Sequence, residues 1–202
     1  GIQGAVELLQ DHGDDMEPDQ RRRFLGNIDS DARRLSDLVT RLPDLARADM
    51  ARPEAGAAVD LRSVAARIAD ALKGGLTITV DLPAGLPKVA VPEASLEMAL
   101  SILLENSRQV GAGEVLITAQ VETDQIRMFV ADDGPGVPEG DVERIFEPFF
   151  TTRRNEGGAG LGLSIARSLL RANHADLGLA GSRTGAMFEI ALPRVSSVQA
   201  SP

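Results

Sequence analysis

Apolar side chains recur at Phe24, Ile28, Leu35, Leu38, Leu42 and Leu45, a spacing that alternates between threes, fours and a seven. That is a heptad seam, and it predicts one long helix. The helix is expected to open near Pro18, whose missing N–H costs nothing in a first turn. It would run about 30 residues, or roughly 45 Å. Val6 and Leu9 mark a shorter helical stretch before it, and Asp11-His12-Gly13-Asp14-Asp15 reads as the polar turn between the two. A single apolar stripe on so long a helix must be covered by other helices. Two hairpins pairing about a two-fold axis into a four-helix bundle would do this, as would packing against a globular domain of the same chain. Pro43 interrupts the seam and predicts a kink, because it removes the bond to the carbonyl of Val39.

The period changes after a linker read at residues 51–58, which holds Pro53 and Gly56. Residues 61–72 read as an amphipathic helix stopped at Gly74-Gly75, and residues 76–80 alternate as a strand. A turn-rich stretch through Pro83, Pro87 and Pro92 leads to a strong helix over 93–109, with Leu96, Ala99, Leu100, Leu103 and Leu104 on one face. Residues 115–121 and 125–131 look like paired strands around Glu122-Thr123-Asp124. A helix is expected over 163–172 and a closing strand over 186–192. The fold class predicted is α+β: a helical hairpin over 1–50, a linker over 51–58, a domain over 59–194 with helices on one face of a mixed sheet, and a tail over 195–202.

Composition narrows the classes of function. The chain has 202 residues, 43% hydrophobic and 25% charged, enough for a real core. Its net charge of −9 and its lack of Trp and Tyr argue against a nucleic-acid partner, which would call for basic patches and exposed aromatics. Without cysteine there is no disulfide and no thiolate metal site. No apolar run reaches the roughly 20 residues of a membrane span. A cytoplasmic setting is expected, with any membrane anchor in regions outside this chain. The opening Gly1-Ile2-Gln3-Gly4-Ala5 carries no helix cap and reads as a piece of something longer.

Four clusters in the C-terminal domain carry candidate chemistry. Leu103-Leu104-Glu105-Asn106-Ser107 puts an amide inside an apolar helix, where an Asn is more often a cap or surface residue. Asp132-Asp133-Gly134-Pro135-Gly136 leaves a strand and turns on two glycines. A carboxylate there could accept from an exocyclic amine, or simply cap the turn. Phe146-Glu147-Pro148-Phe149-Phe150-Thr151-Thr152-Arg153 concentrates three of the six Phe residues in five positions. Gly157-Gly158-Ala159-Gly160-Leu161-Gly162-Leu163 runs from a glycine loop into a helix, which suits phosphate oxygens but also a flexible linker.

In this order and spacing the four clusters resemble the N, G1, F and G2 boxes of the Bergerat-fold ATPases, and among these the sensor histidine kinases. The N-terminal hairpin resembles that family's dimerisation and phosphoacceptor hairpin, and the ending Gly185-Ala186-Met187-Phe188-Glu189-Ile190 its closing strand. The resemblance implies an ATP-dependent protein-histidine kinase with ATP and Mg²⁺ as cofactors. It implies a homodimer formed through the hairpin, and a response-regulator receiver domain as partner. Asn106 would hold Mg²⁺, Asp132 would accept the adenine amino group, and Gly134 and Gly136 would let the base approach the backbone. Phe146, Phe149, Phe150 and Thr152 would form one edge of a lid over the phosphates. Gly158, Gly160, Leu161, Gly162 and Leu163 would form the other, with Arg153 near the γ-phosphate and Arg154 a weaker candidate.

The chain departs from the family pattern at three places. Ile102 stands where a second Asn is usual, Gln109 where a basic residue is usual, and Met187 where a Thr is usual. Nucleotide binding is expected to survive these changes; fast phosphotransfer is less secure. A catalytically weak nucleotide-binding or dimerisation module, or a protein-serine kinase of the same superfamily, are the alternative readings. The acceptor histidine expected from the family would fall before Gly1. His12 reads as a solvated turn residue and His174 as a residue after the glycine-loop helix.

Overall fold

A computed structural model describes residues 16–22, 25–26, 57–72, 75–152, 160–182 and 184–195. Residues 18–22 are helical, in keeping with a helix start at Pro18. Phe24, Ile28, Leu35, Leu38, Leu42, Leu45, Pro43 and His12 lie outside the described residues, as do Gly158, Arg153 and Arg154.

The C-terminal domain is a two-layer α/β sandwich. Helix α1 (Leu61–Ala71) is capped by Asp60, whose side chain accepts from the Arg62 N–H. It buries Leu61, Val64, Ala65 and Ile68, one face of a helix at i, i+3, i+4 and i+7. Strand β1 (Thr77–Asp81) follows, and helix α2 (Glu93–Gln109) then crosses to strand β2 (Glu114–Val121). Because β1 and β2 are parallel, a hairpin cannot join them, and α2 is the crossover this pairing needs. Strand β3 (Gln125–Asp132) returns antiparallel to β2, and helix α3 (Gly162–Arg171) precedes strands β4 (Asp176–Ala180) and β5 (Met187–Pro193). The strand order is β1-β2-β3-β5-β4.

Alternation along the strands decides which face the helices cover. Val115, Ile117 and Ala119 of β2, Ile126, Met128 and Val130 of β3, and Phe188, Ile190 and Leu192 of β5 are all buried. Their alternate neighbours face the other way; Leu116 is 42% exposed. Against the buried face sit Leu96, Ala99, Leu100, Leu103 and Leu104 of α2, all fully buried. Each such leucine contributes about 1.5–3 kcal/mol on removal from water. This packing fixes the C-terminal end of α2 beside the C-terminal end of β3, where the candidate chemistry lies.

Strand β4 has no counterpart in the periodicity reading. Its sequence, Asp-Leu-Gly-Leu-Ala, lacks β-branched residues and buries only Leu177 completely, so pairing with β5 rather than local preference makes it a strand.

Candidate functional site

Asp132 is the last residue of β3 and is 6% exposed. Its Oδ1 accepts from the backbone N–H of Gly134 at 3.0 Å and of Ala186 at 2.9 Å, and its Oδ2 accepts from the Ser107 hydroxyl at 2.9 Å. A carboxylate has about four lone-pair positions. Three are filled by the protein, and the fourth, on Oδ2, is left for another donor. Asp132 therefore caps its own turn and also keeps one acceptor position open, so the two readings of this residue are not exclusive.

The adjacent carboxylate has a different task. Asp133 accepts from the N–H groups of Gly113 and Glu114 at 2.8 and 2.9 Å and pins the loop entering β2. These bonds, that from Glu114 first, hold its carboxyl below the usual carboxylate range. A depressed folded-state value means the stabilisation is complete above the unfolded value, near 4. It is lost as pH falls through the folded-state value. Asp133→Ala is expected to melt below the wild type at pH 7, with the gap closing below about pH 4. Thermal melts from pH 7 to pH 3 read this directly, and a gap independent of pH would refute it.

Asn106 lies in the last turn of α2, half-buried, and its side-chain amide makes no hydrogen bond among the described residues. One residue on, Ser107 is fully buried. Ile102 packs against the hydrophobic core, so the position four before Asn106 contributes no polar group. Glu105 accepts from the Arg108 guanidinium through two bonds, at 2.7 and 2.6 Å, and from the Gln109 amide at 2.8 Å. Arg108 and Gln109 are thus tied to Glu105 on the exposed side of the helix.

The F and G2 segments meet through backbone. The Phe149 N–H donates to the Gly160 carbonyl at 2.8 Å. Gly160 has φ +68°, and a Cβ there would come within 2.6 Å of the Phe149 carbonyl carbon and the Phe150 oxygen. Only glycine admits this approach. Phe149 itself has φ 67° and is 53% exposed. The other two rings are held by guanidinium groups: Arg144 lies 4.4 Å over Phe150, and Arg167 of α3 lies 4.5 Å over Phe146. Thr152 is exposed at the end of this segment. Leu161 is buried, Gly162 opens α3, and Leu163 packs on the core. The first turn of α3 carries no side-chain cap bond and no acidic residue. Its outward N–H groups are the kind that take an anion.

Two groups at the site escaped the sequence reading. Ser107 lies four residues after Leu103 and three after Leu104, on the buried face, and a buried hydroxyl needs a partner. That was the available signal. Gly185 was read only as the start of the closing strand. It has φ +67°, and a Cβ there would lie 2.6 Å from the Asp132 carbonyl carbon and 2.9 Å from Oδ1, overlapping the carbonyl oxygen as well. Gly136 packs on it in turn, since a Cβ at Gly136 would meet the Gly185 oxygen at 3.0 Å. His174 is exposed after α3. No group of three His, Asp or Glu side chains able to hold a metal occurs among the described residues. No described helix is long and apolar enough to cross a membrane.

Residues 92–196 match the family model described as histidine kinase-, DNA gyrase B-, and HSP90-like ATPase, and residues 1–51 match the His kinase A (phospho-acceptor) domain. A probable sensor histidine kinase of Mycobacterium tuberculosis, TcrY, is 30% identical over 95% of this chain and 42% of its own length. The sensor protein kinase PilS of Pseudomonas aeruginosa is 31% identical over 86% of this chain and 34% of its own length. The adaptive-response sensory kinase SasA of Gloeothece citriformis is 34% identical over 58% of this chain and 32% of its own. The chain thus spans about a third to two fifths of these relatives. Among solved structures, full-length ShkA in complex with AMPPNP superposes with a TM-score of 0.68 at 29% identity, over 89% of this chain and 40% of that one. The histidine kinase AdeS of Acinetobacter baumannii shares the fold, with a TM-score of 0.66 at 21% identity over 96% of this chain and 93% of that one. The chain belongs to the histidine kinase-, DNA gyrase B- and HSP90-like ATPase family, with a segment matching the His kinase A phospho-acceptor domain ahead of its ATPase domain.

Proposed function

We propose that this chain is the ATP-binding catalytic core of a sensor histidine kinase, transferring the γ-phosphoryl group of ATP to a histidine that in turn phosphorylates a response regulator. The carrying observation is Asp132, a nearly buried carboxylate with three acceptor positions filled by the protein and one open on Oδ2. An exocyclic amine fits that position; the carbonyl of guanine at the same ring position does not. The solved relative holding AMPPNP, an ATP analogue, supports the same ligand class.

The residue roles are those the family resemblance implies, supported by the positions of the described residues. Asp132 reads the base, and the Gly134 and Gly136 turn leaves room for it beside the backbone. Phe150, Thr152 and Arg153 from one side of a lid, and Gly158, Gly160, Leu161, Gly162 and Leu163 from the other, enclose the phosphates. Asn106 offers its uncommitted amide oxygen as the protein ligand to Mg²⁺, an ion that keeps several waters and takes much of its coordination from phosphates. Bound there, Mg²⁺ would neutralise charge on the phosphates. By the family resemblance, Arg153 would meet the γ-phosphate. Positioning and charge neutralisation supply most of the catalysis in such a transfer. The hairpin segment gives a homodimer and the docking surface for a receiver domain. Ile102 in the core and Gln109 tied to Glu105 leave the metal end with fewer polar groups, which favours a slow transfer over a fast one.

Calorimetric titration with Mg²⁺-ATP and Mg²⁺-GTP tests the binding claim. ATP is expected to saturate, with GTP weaker by about 100-fold or more, as a mismatched buried acceptor costs roughly 3 kcal/mol. Incubation with γ-labelled ATP and a separately supplied phospho-acceptor hairpin tests the transfer, with label expected on its histidine. Absence of ATP binding at millimolar concentration would refute the reading, and ATP binding without labelled histidine would leave a nucleotide-binding module.

A further inference from the structure

We infer that Ser107 is the positioning residue of the base-reading carboxylate: its hydroxyl fixes the plane of Asp132 so that the open lone pair of Oδ2 faces the amino group of adenine. The inference rests on the adenine reading above and gives a role to a residue to which the family resemblance assigns none.

Ser107 Oγ lies 2.9 Å from Asp132 Oδ2 and 3.2 Å from the Leu103 carbonyl. It has one proton to donate, and the nearer, charged acceptor takes it. Both residues are shut from solvent, Ser107 completely and Asp132 to 6% exposure, so water does not substitute for the hydroxyl without rearrangement. Oδ1 is held by two backbone donors, Gly134 and Ala186. The terminal torsion of a carboxylate has broad wells, and the two donors on Oδ1 narrow it from one side only. The hydroxyl on Oδ2 narrows it from the other. The bond is directional, and it determines which of the two Oδ2 lone pairs remains open.

The position in the chain adds to the argument. Ser107 sits on α2, whose register is locked by Leu96, Ala99, Leu100, Leu103 and Leu104 in the core. Asp132 sits at the end of β3 in the sheet beneath. The Ser107–Asp132 bond is a side-chain link between these two elements at the site, so the helix carrying Asn106 also sets the orientation of the base reader. A serine with a merely structural role would affect every ligand equally. A serine that orients Oδ2 affects only ligands with a donor at the purine 6-position.

That difference gives the test. The wild type, Ser107→Ala and Ser107→Cys are titrated with Mg²⁺-ATP and with the triphosphate of purine riboside, which has hydrogen where ATP has its amino group. For Ser107→Ala, the Kd for ATP is expected to rise about fivefold to tenfold, while that for the unsubstituted purine changes less than about twofold. Ser107→Cys, of nearly the same shape but with a weak donor, is expected to follow the alanine variant. Thermal melts of the three proteins show that each is folded. Equal losses for both nucleotides, unchanged or tighter ATP binding by Ser107→Ala, or a cysteine variant equal to the wild type would each overturn the inference while leaving the nucleotide site intact. A wild type that binds no ATP overturns the reading of the site itself, and this inference with it.

Discussion

Gly185→Ala is expected to destabilise the C-terminal domain by about 2–5 kcal/mol, combining left-handed backbone strain with overpacking. For a domain of this size that corresponds to a Tm lower by roughly 10 °C. The residue has φ +67°, and a Cβ would overlap the Asp132 carbonyl oxygen and lie 2.9 Å from Oδ1. None of these neighbours can move freely. The Asp132 N–H donates to the Ala186 carbonyl, and the Ala186 N–H donates to Asp132 Oδ1, both at 2.9 Å. Relieving the overlap therefore separates the ends of β3 and β5 and takes one of the two backbone donors from the carboxylate. Nucleotide affinity should fall with stability, and it should stay low at temperatures where the variant is still folded. Gly178→Ala is the control: this glycine of β4 has an ordinary φ and nothing within 4 Å of the added methyl. It should be neutral, or stabilising by up to about 1 kcal/mol through the unfolded chain. Melting curves and ATP titrations of both variants decide the matter. A Gly185→Ala protein that melts with the wild type would mean that the β3–β5 junction is not as tight as described.

The contrast between the two glycines also shows where the sequence is readable. Helix α2 was legible to its ends because five apolar residues repeat on one face over 17 residues, a signal no loop imitates. β2 and β3 were legible from alternation, to within a residue at each end. β4 was not, since a strand of five residues held by its partner has little pattern of its own. At the site, Asp132, Asn106 and the glycines stood out through their spacing. Ser107, Gly185 and Ala186 did not, because their importance comes from contacts across 25 or 54 positions of chain. The two neighbouring aspartates could be distinguished by motif alone. Why they differ is visible only in three dimensions: one keeps an acceptor open, and the other spends its carboxylate on the N–H groups of Gly113 and Glu114.

Asp132→Asn should weaken ATP binding severely and should do so without unfolding the protein. The amide has one acceptor and one donor end, and the structure determines which goes where. Oδ1 receives two backbone N–H groups, from Gly134 and Ala186, so the amide oxygen must take that place; the reverse would set NH₂ against two donors. The NH₂ end then occupies the position of Oδ2 and faces both Ser107 and the base. Ser107 can accept from it and turn its own proton to the Leu103 carbonyl, 3.2 Å away. The interior of the protein therefore stays satisfied, and Tm should move by only a few degrees, about 1 kcal/mol or less. The ligand is not so accommodated. A charged acceptor worth about 1.5–3 kcal/mol is lost, and a donor is turned toward the adenine amine, so affinity should fall by at least about 100-fold. The same reversal should favour a purine with a carbonyl at that ring position. Inosine triphosphate, weak on the wild type, should bind the variant at least as well as ATP does. Titrating both proteins with both nucleotides gives four affinities. An amide variant that keeps ATP preferred over inosine triphosphate would mean that the base is read elsewhere, and the assignment of Asp132 would have to be abandoned.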